Sequence, residues 1–292
     1  MSHRYLITGA GGQLGQEFAL TLGNNGAAVH AFSSKELDIT DSALLRRVIE
    51  EVLPDVIINC AAYTKVDQAE DEPERSRLIN AAAVAHMSAI CKEKNILLVH
   101  FSTDYVFPGL QEDADTFPMG YPTGHPGSPA GVYGQTKWEG EAALQESGCR
   151  HMIIRVSWLC GRFGNNFVKT MLRLGRERDE LSVVNDQIGS PSFTRQVVQQ
   201  TLALIRAEQQ GIFHVASAGI ISWYDLAVET FLQAGVDCRV NPIPSSQFPS
   251  KVRRPAFSLL DCRSTVAVTK REMGNWKDNL RELLTELEHA NN

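Results

Sequence analysis

The chain has 292 residues, 43% of them hydrophobic and 21% charged, the balance of an ordinary globular protein with enough apolar material for one large domain or two modest ones, which excludes a disordered chain. Its net charge of -6 provides no overall attraction to nucleic acid or an anionic membrane, so an anionic ligand has to be met by local cations or backbone amides. The six cysteines (Cys60, Cys91, Cys149, Cys160, Cys238 and Cys262) form no C-x-x-C pair, no histidine stands at metal-ligand spacing, and no segment suits a signal peptide or a bilayer span, so a cytoplasmic setting without a bound metal is expected.

In chain order, Tyr5 to Thr8 reads as a buried strand feeding a helix over Gln13 to Leu22. Ala28 to Phe32 is a second strand, Ser42 to Val52 a helix, and Asp55 to Cys60 a third strand. Such short, nearly continuous apolar runs alternating with amphipathic stretches are how a parallel sheet covered on both faces is written. Asp71-Glu72-Pro73 starts a long helical segment through Lys94, and Ile96 to Phe101 is the fourth strand. From Pro108 to Pro129 glycine, proline, aspartate and threonine replace periodic apolar residues, which predicts a long functional loop. Val132 to Glu146 is helical and His151 to Val156 a fifth strand. Beyond Trp158, helices are expected over Phe167 to Arg176, Thr194 to Ala207, Tyr224 to Ala234 and Trp276 to His289, with a strand at Gly211 to Val215 and a proline-rich polar stretch from Asn241 to Pro255.

These elements predict an α/β fold: a Rossmann-like doubly wound parallel sheet with a smaller, mixed C-terminal substrate-binding domain. The expected division is 1–156 plus about 190–216 for dinucleotide binding, and about 157–189 plus 217–292 for substrate binding.

The stretch T-G-A-G-G-Q-L-G, Thr8 to Gly15, joins the first strand to the first helix. Gly9, Gly12 and Gly15 permit a tight turn and close backbone approach, so that the helix start at Gln13 and Leu14 faces a pyrophosphate. After the second strand stand Ser33, Ser34 and Lys35, hydroxyls plus a cation that suit a ribose 2'-phosphate and favour NADPH, with NADH as the alternative. Asp38 and Ile39 follow as candidates for the adenine edge, and Ala61, Ala62 and Tyr63 supply the end of the third strand where a ligand crosses the sheet edge. Ser102-Thr103-Asp104-Tyr105 ends the fourth strand. Tyr133 and Lys137 lie four apart on the next helix and share one face. A free phenol titrates near ~10. A neighbouring ammonium lowers that value and brings its proton into useful reach, while Thr103 orients a carbonyl beside it. Lys137 has a second candidate task, holding the nicotinamide ribose. Lys251, Arg253 and Arg254 form a basic cluster suited to a diphosphate.

With L-D-I-T (37 to 40), N-C-A-A-Y-T-K-V-D-Q-A-E (59 to 70), S-T-D-Y-V-F-P-G (102 to 109), V-Y-G-Q-T-K (132 to 137), S-W-L (157 to 159), G-N-N-F-V-K-T-M-L (164 to 172), N-D-Q-I-G-S-P (185 to 191) and R-P-A-F-S-L-L (254 to 260), the chain resembles the extended short-chain dehydrogenase/reductase family. The resemblance implies hydride delivery to the C4 ketone of dTDP-4-dehydro-6-deoxy-L-mannose, giving dTDP-L-rhamnose. It also implies Tyr133 as proton donor, Lys137 as its electrostatic partner and Thr103 as the carbonyl-orienting hydroxyl. Asp104 and Trp158 match family positions near the sugar, Trp158 being equally suited to the core, and Asn165, Asn166 and Phe167 fit polar and apolar contacts to the nucleotide. Some relatives hold a divalent ion with carboxylates at a dimer interface. Here Ser192-Phe193-Thr194-Arg195 occupies one such region, and an arginine cannot replace a carboxylate ligand, so no metal is expected and monomer versus homodimer stays open. Two rival readings remain: a non-catalytic dinucleotide-binding subunit like the β subunit of methionine adenosyltransferase, and a reductase or epimerase of another nucleotide sugar.

Overall fold

A computed structural model describes residues 3–248 and 250–291. The N-terminal half runs β1 (Arg4–Thr8), α1 (Gln13–Asn24), β2 (Ala28–Phe32), α2 (Ser42–Val52), β3 (Val56–Asn59), α3 (Val66–Ala69) and α4 (Pro73–Arg77). A π-helical turn, Leu78–Ala82, leads into α5 (Ala83–Lys94). Then come β4 (Leu97–Thr103), a 3-10 turn (Asp104–Val106), α6 (Asp113–Thr116), α7 (Val132–Ser147) and β5 (His151–Val156). The remainder contains β6 (Leu159–Cys160), α8 (Phe167–Glu177), β7 (Glu180–Val184), β8 (Ile188–Gly189), β9 (Ser192–Phe193), α9 (Thr194–Arg206), β10 (Gly211–His214), β11 (Ile221–Ser222), α10 (Trp223–Ala234), β12 (Arg239–Ile243), α11 (Arg263–Thr269) and α12 (Trp276–Asn291).

Six strands form one sheet in the order β10-β5-β4-β3-β1-β2, every pair parallel. Side chains alternate across a strand, and both faces are apolar and covered. Tyr5, Ile7, Val56, Ile58, Val99 and Ile154 pack with Leu14, Phe18 and Leu22 of α1 and Val197 and Leu204 of α9. Leu6, Ile57, Leu98 and Ile153 face the other way, against Leu45 and Ile49 of α2 and Val84 and Met87 of α5. This is the doubly wound arrangement expected. The chain leaves β1 toward β2 on one side and toward β3 on the other, so the strand order reverses between β1 and β3. Ligands of open parallel sheets bind at the carboxyl ends of strands flanking such a point.

The irregular second half holds what sequence periodicity missed. Three two-stranded sheets, β11 with β8, β12 with β7 and β6 with β9, use strands of two to five residues, too short to show a period. The proline-rich stretch from Asn241 begins inside β12. Pro242 lies opposite Val183 in a two-stranded parallel pair, where a missing N–H is tolerated because the strand has a free edge. The predicted loop from Pro108 to Pro129 is packed: Phe107 stacks on Tyr121 at 4.3 Å and 11°, and α6 lies within it.

Candidate active site

Two close approaches bring the site together. Gly9 ends β1 with φ +65°, and a Cβ there would lie 2.5 Å from the amide nitrogen of Ala61. No other residue lets the turn after β1 press on the end of β3. The Gly12 amide donates to the Gly9 carbonyl at 2.9 Å. Helix α1 then starts with Gly12 as N-cap, no side chain satisfying its first amides, and no acidic residue in its first turn. Free amides at the positive end of a helix, beside a strand-order reversal, fit a dinucleotide pyrophosphate.

Ser33 lies against this turn, its Cβ 3.7 Å from where a Cβ of Gly11 would be. Glu36 accepts from both the amide and the hydroxyl of Ser33, at 2.8 and 2.7 Å. Ser34 and Lys35 are exposed. Asp38 spends one carboxylate oxygen on the amide and hydroxyl of Thr40, at 2.9 and 2.7 Å. Ile39 is corrected as a contact for adenine through its side chain, which is buried in the core beneath β1 and β3.

Ala61 and Ala62 are half-buried at the end of β3. Tyr63 is not free for a ligand: its amide donates to Asn80 at 2.9 Å and its hydroxyl to Glu72 at 3.2 Å. Asn80 sits in the π-helical turn, a distortion that re-aims side chains near functional sites. It also donates to the Tyr63 carbonyl at 3.1 Å and to the Thr136 hydroxyl of α7 at 3.2 Å.

Gly134 sets the second approach. A Cβ there would stand 2.3 Å from the Tyr105 carbonyl oxygen, so α7 can press on the turn after β4 only with glycine at this position. Tyr133 thereby packs edge-on to Tyr105, ring centroids 5.4 Å apart. Thr103, at the buried end of β4, donates to Asp104 at 2.9 Å. Burial raises the phenol of Tyr133 above its ordinary range, and the charges of Asp104 and Tyr105 add to this, while the Thr103 hydroxyl acts in the opposite sense. Asp104 is pushed up to about 7 by burial, opposed by hydrogen bonds from Thr103 and the backbone. Its second oxygen has no partner among the described residues, and the residue lines a cavity of about 200 Å³ with Tyr105, Trp158, Gln187, Trp223 and Pro255.

Lys137 is where the structure departs most from the sequence reading. Its side chain is buried, and Nζ meets His100 Nε2 at 3.0 Å and the Phe101 carbonyl at 2.6 Å. Its hydrogen bonds among the described residues are thus to His100 and Phe101, with none to the phenol. Burial pushes Lys137 down to about 8, with Glu141 opposing. His100, which the sequence reading passed over, is held well below its usual range by burial and by Lys137. Its signal was present: one polar residue inside the apolar run L-L-V-H-F.

Of the remaining candidates, Trp158 lines the cavity in a left-handed backbone conformation, φ +49°, and stacks on Trp223 at 3.8 Å. Asn165 is exposed. Asn166 has internal partners: its oxygen caps α8 by accepting from Lys169 at 3.1 Å, and its amide donates to Gly161 at 2.6 Å and Gln13 at 3.0 Å. Phe167 is partly buried beside Trp223, 4.7 Å between ring centroids, under α8 and α10. Arg254 donates to the Tyr105 hydroxyl at 3.1 Å and pairs with Asp67. Lys251 pairs with Asp71 at 2.6 Å, and Arg253 is exposed. Arg195 pairs with Glu286 at 3.2 Å, and among the described residues no cluster of three histidine, cysteine or acidic side chains could hold a metal. No helix among them is long and apolar enough to cross a membrane.

A doubly wound sheet with a glycine turn at its strand-order reversal, and Thr103, Tyr133 and Lys137 gathered at the end of β4, define a protein of the extended short-chain dehydrogenase/reductase class. The chain belongs to the RmlD substrate binding domain family, whose model matches residues 3–289. It is 39% identical over 265 residues to a dTDP-4-keto-6-deoxy-D-glucose reductase of Streptomyces niveus, 89% of each chain being covered. To dTDP-4-dehydrorhamnose reductase of Escherichia coli (strain K12) it is 35% identical over 303 residues, 97% of each. The crystal structure of dTDP-4-dehydrorhamnose reductase from Bacillus anthracis in complex with NADP superposes with a TM-score of 0.92 at 37% identity, covering 98% of this chain and 100% of that one.

Proposed function

We propose that this chain reduces the C4 ketone of dTDP-4-dehydro-6-deoxy-L-mannose to give dTDP-L-rhamnose, using NADPH, with NADH as a second cofactor. The observation that carries the reading is the convergence of the Tyr133 phenol and the Thr103 hydroxyl beside Asp104, at the end of the strand that follows the glycine-turn crevice. The names of its relatives, one solved with NADP, support the substrate and the cofactor.

In this mechanism Gly9, Gly12 and the first amides of α1 would hold the pyrophosphate, and Ser33, Ser34 and Lys35 would serve the adenosine ribose. The dinucleotide supplies the hydride when bound. Thr103, its single O–H turned from Asp104 to the substrate, donates a hydrogen bond to the carbonyl oxygen and fixes its position. Tyr133, kept protonated by its surroundings, gives that oxygen its proton as the hydroxyl forms. Asp104 and Trp158 line the sugar cavity, with Tyr105 closing its wall. Arg254 reaches the diphosphate once it leaves Asp67. We assign residues 1–156 and about 190–216 to the dinucleotide and the rest to the sugar nucleotide. The pairing of β10 with β5 in the main sheet supports this division. A cytoplasmic location accords with six cysteines that are all free.

The test is consumption of NADPH and NADH by the purified protein with a panel of nucleotide-linked 4-keto-6-deoxyhexoses, the product being identified by NMR. Turnover of the L-lyxo ketone to dTDP-L-rhamnose is the expected result. One observation favours a second reading: the Streptomyces niveus relative, at 39% identity, is named for a 4-keto-6-deoxy-D-glucose substrate. Reduction confined to that stereoisomer decides for it, and binding of dinucleotide with no turnover of any sugar decides for the non-catalytic subunit.

A further inference from the structure

Asn59, His100 and Lys137 form a buried line running from β3 across β4 to α7, and the reduction chemistry above gives none of them a task. All three are at most 1% exposed. The hydrogen bonds along the line leave one consistent set of proton positions. The Ala61 backbone amide, which can only donate, points at Asn59 Oδ1 at 3.2 Å, and the Thr8 hydroxyl meets the same oxygen at 2.7 Å. Those contacts orient the Asn59 side chain, so its NH2 group faces His100 Nδ1 at 3.0 Å. Nδ1 must therefore accept, and a neutral imidazole then carries its proton on Nε2. That N–H faces Lys137 Nζ at 3.0 Å. A lysine ammonium has donors and no lone pair, so two donors would meet head-on in a buried space. A neutral amine accepts from Nε2 and still donates to the Phe101 carbonyl at 2.6 Å.

We propose that His100 is a positioning residue that, with its tautomer set by Asn59, holds Lys137 retracted as an uncharged amine in the unliganded protein. The inference rests on the reading that this crevice takes a nicotinamide dinucleotide whose ribose recruits Lys137. Recruitment as an ammonium then takes up a proton from solvent onto Nζ, so cofactor affinity falls as pH rises. The groups facing Lys137 are few. His100 comes from β4, and Glu141 comes from its own helix α7 but is neutralised by Arg155 of β5 at 2.6 Å. Tyr133 lies one turn back, and β3 contributes the uncharged Asn59. Burial moves Lys137 in the direction of the neutral amine, to about 8, and the donor and acceptor geometry of His100 adds to that shift.

Asn59→Asp reverses the line. A carboxylate still accepts from Ala61 but now also accepts from His100, moving the imidazole proton to Nδ1 and leaving Nε2 to accept from a lysine ammonium. The experiment is nitrogen-15 NMR of histidine-labelled, unliganded protein, paired with the pH dependence of NADPH affinity. Expected for the wild type is His100 protonated on Nε2, and for Asn59→Asp protonation on Nδ1. The loss of NADPH affinity on the alkaline side should move upward by about one pH unit or more in that variant. A purely structural role predicts weaker binding with the limb unmoved, and this overturns the proposal, as does a wild-type His100 carrying its proton on Nδ1. The wild-type tautomer decides the matter even if Asn59→Asp fails to fold. A protein with the Nε2 tautomer that binds no NADPH retains the proton arrangement but refutes the functional reading on which its use depends.

Discussion

Arg254 donates to the hydroxyl of Tyr105 at 3.1 Å while the same guanidinium pairs with Asp67. A cation bonded to the wall of the proposed sugar cavity is thus already matched by a carboxylate from the segment after β3. A diphosphate arriving there competes with Asp67 for the same fork. Asp67→Asn should lower KM for the sugar nucleotide a few-fold with kcat unchanged, because the competitor is removed. Arg254→Ala should raise KM roughly tenfold to a hundredfold, the range of a charge-assisted hydrogen bond. Steady-state kinetics on both variants check this, and a KM for Asp67→Asn at or above wild type would contradict it.

Tyr133→Phe removes the proposed proton donor and leaves the crevice intact. Turnover should fall roughly 10²- to 10⁴-fold, the usual worth of a positioned general acid, with NADPH affinity changed little. Fluorescence titration and turnover on the same preparation separate the two quantities. Wild-type turnover would remove Tyr133 from its role.

Asp104 bears on stability through pH. Its folded value of about 7 lies above the ordinary 3.8, so the native state binds the proton more tightly than the unfolded chain. Stability attributable to this group is therefore full below about pH 4 and is lost progressively as pH rises toward about 7, remaining flat above. Asp104→Asn should be more stable than wild type at pH 8, by roughly 1–4 kcal/mol, and about equal at pH 4. Urea denaturation at the two pH values measures the difference, and an equal gap at both would show that burial of the charge is not its origin.

Gly134→Ala places a methyl group where the Tyr105 carbonyl now sits, 2.3 Å from the Cβ position. Helix α7 must shift away from the turn after β4, at a cost of roughly 1–3 kcal/mol. Since the same helix carries Tyr133, kcat should drop with it. A variant of wild-type stability and turnover would show that the approach is looser than this geometry requires.

Glu141 and Arg155 make a fully buried ion pair at 2.6 Å, and the guanidinium also lies over the rings of Phe107 and Trp138, at 5.0 and 5.7 Å. Glu141→Gln strands that charge inside the protein and should cost roughly 3–5 kcal/mol. The exposed pair Arg47 with Glu51, at 4.0 Å, should contribute less than about 1 kcal/mol when broken. Chemical denaturation of the two variants side by side tests the contrast.

The main sheet was readable because its strands are written as short apolar runs and its helices as amphipathic stretches, each a local pattern that burial on two faces enforces. Ser42–Val52 and Ala28–Phe32 fall on the same residues in sequence and structure. The glycine turn and the spacing of Tyr133 and Lys137 were legible for the same reason: chain geometry over a few residues dictates them. The two-residue strands were not, since their pairing lies in partners far along the chain, such as Leu159 with Ser192.

Side-chain destinations were decided by tertiary structure alone. Spacing placed Tyr133 and Lys137 on one helical face, yet which partner each amine or phenol meets depends on what β3 and β4 present beneath it. Lys137 goes to His100 and Phe101 instead of to the phenol. Local sequence selects the elements by backbone sterics and apolar period, whereas hydrogen bonds between residues 30 to 150 positions apart select the protonation states and the reach of the groups that do chemistry.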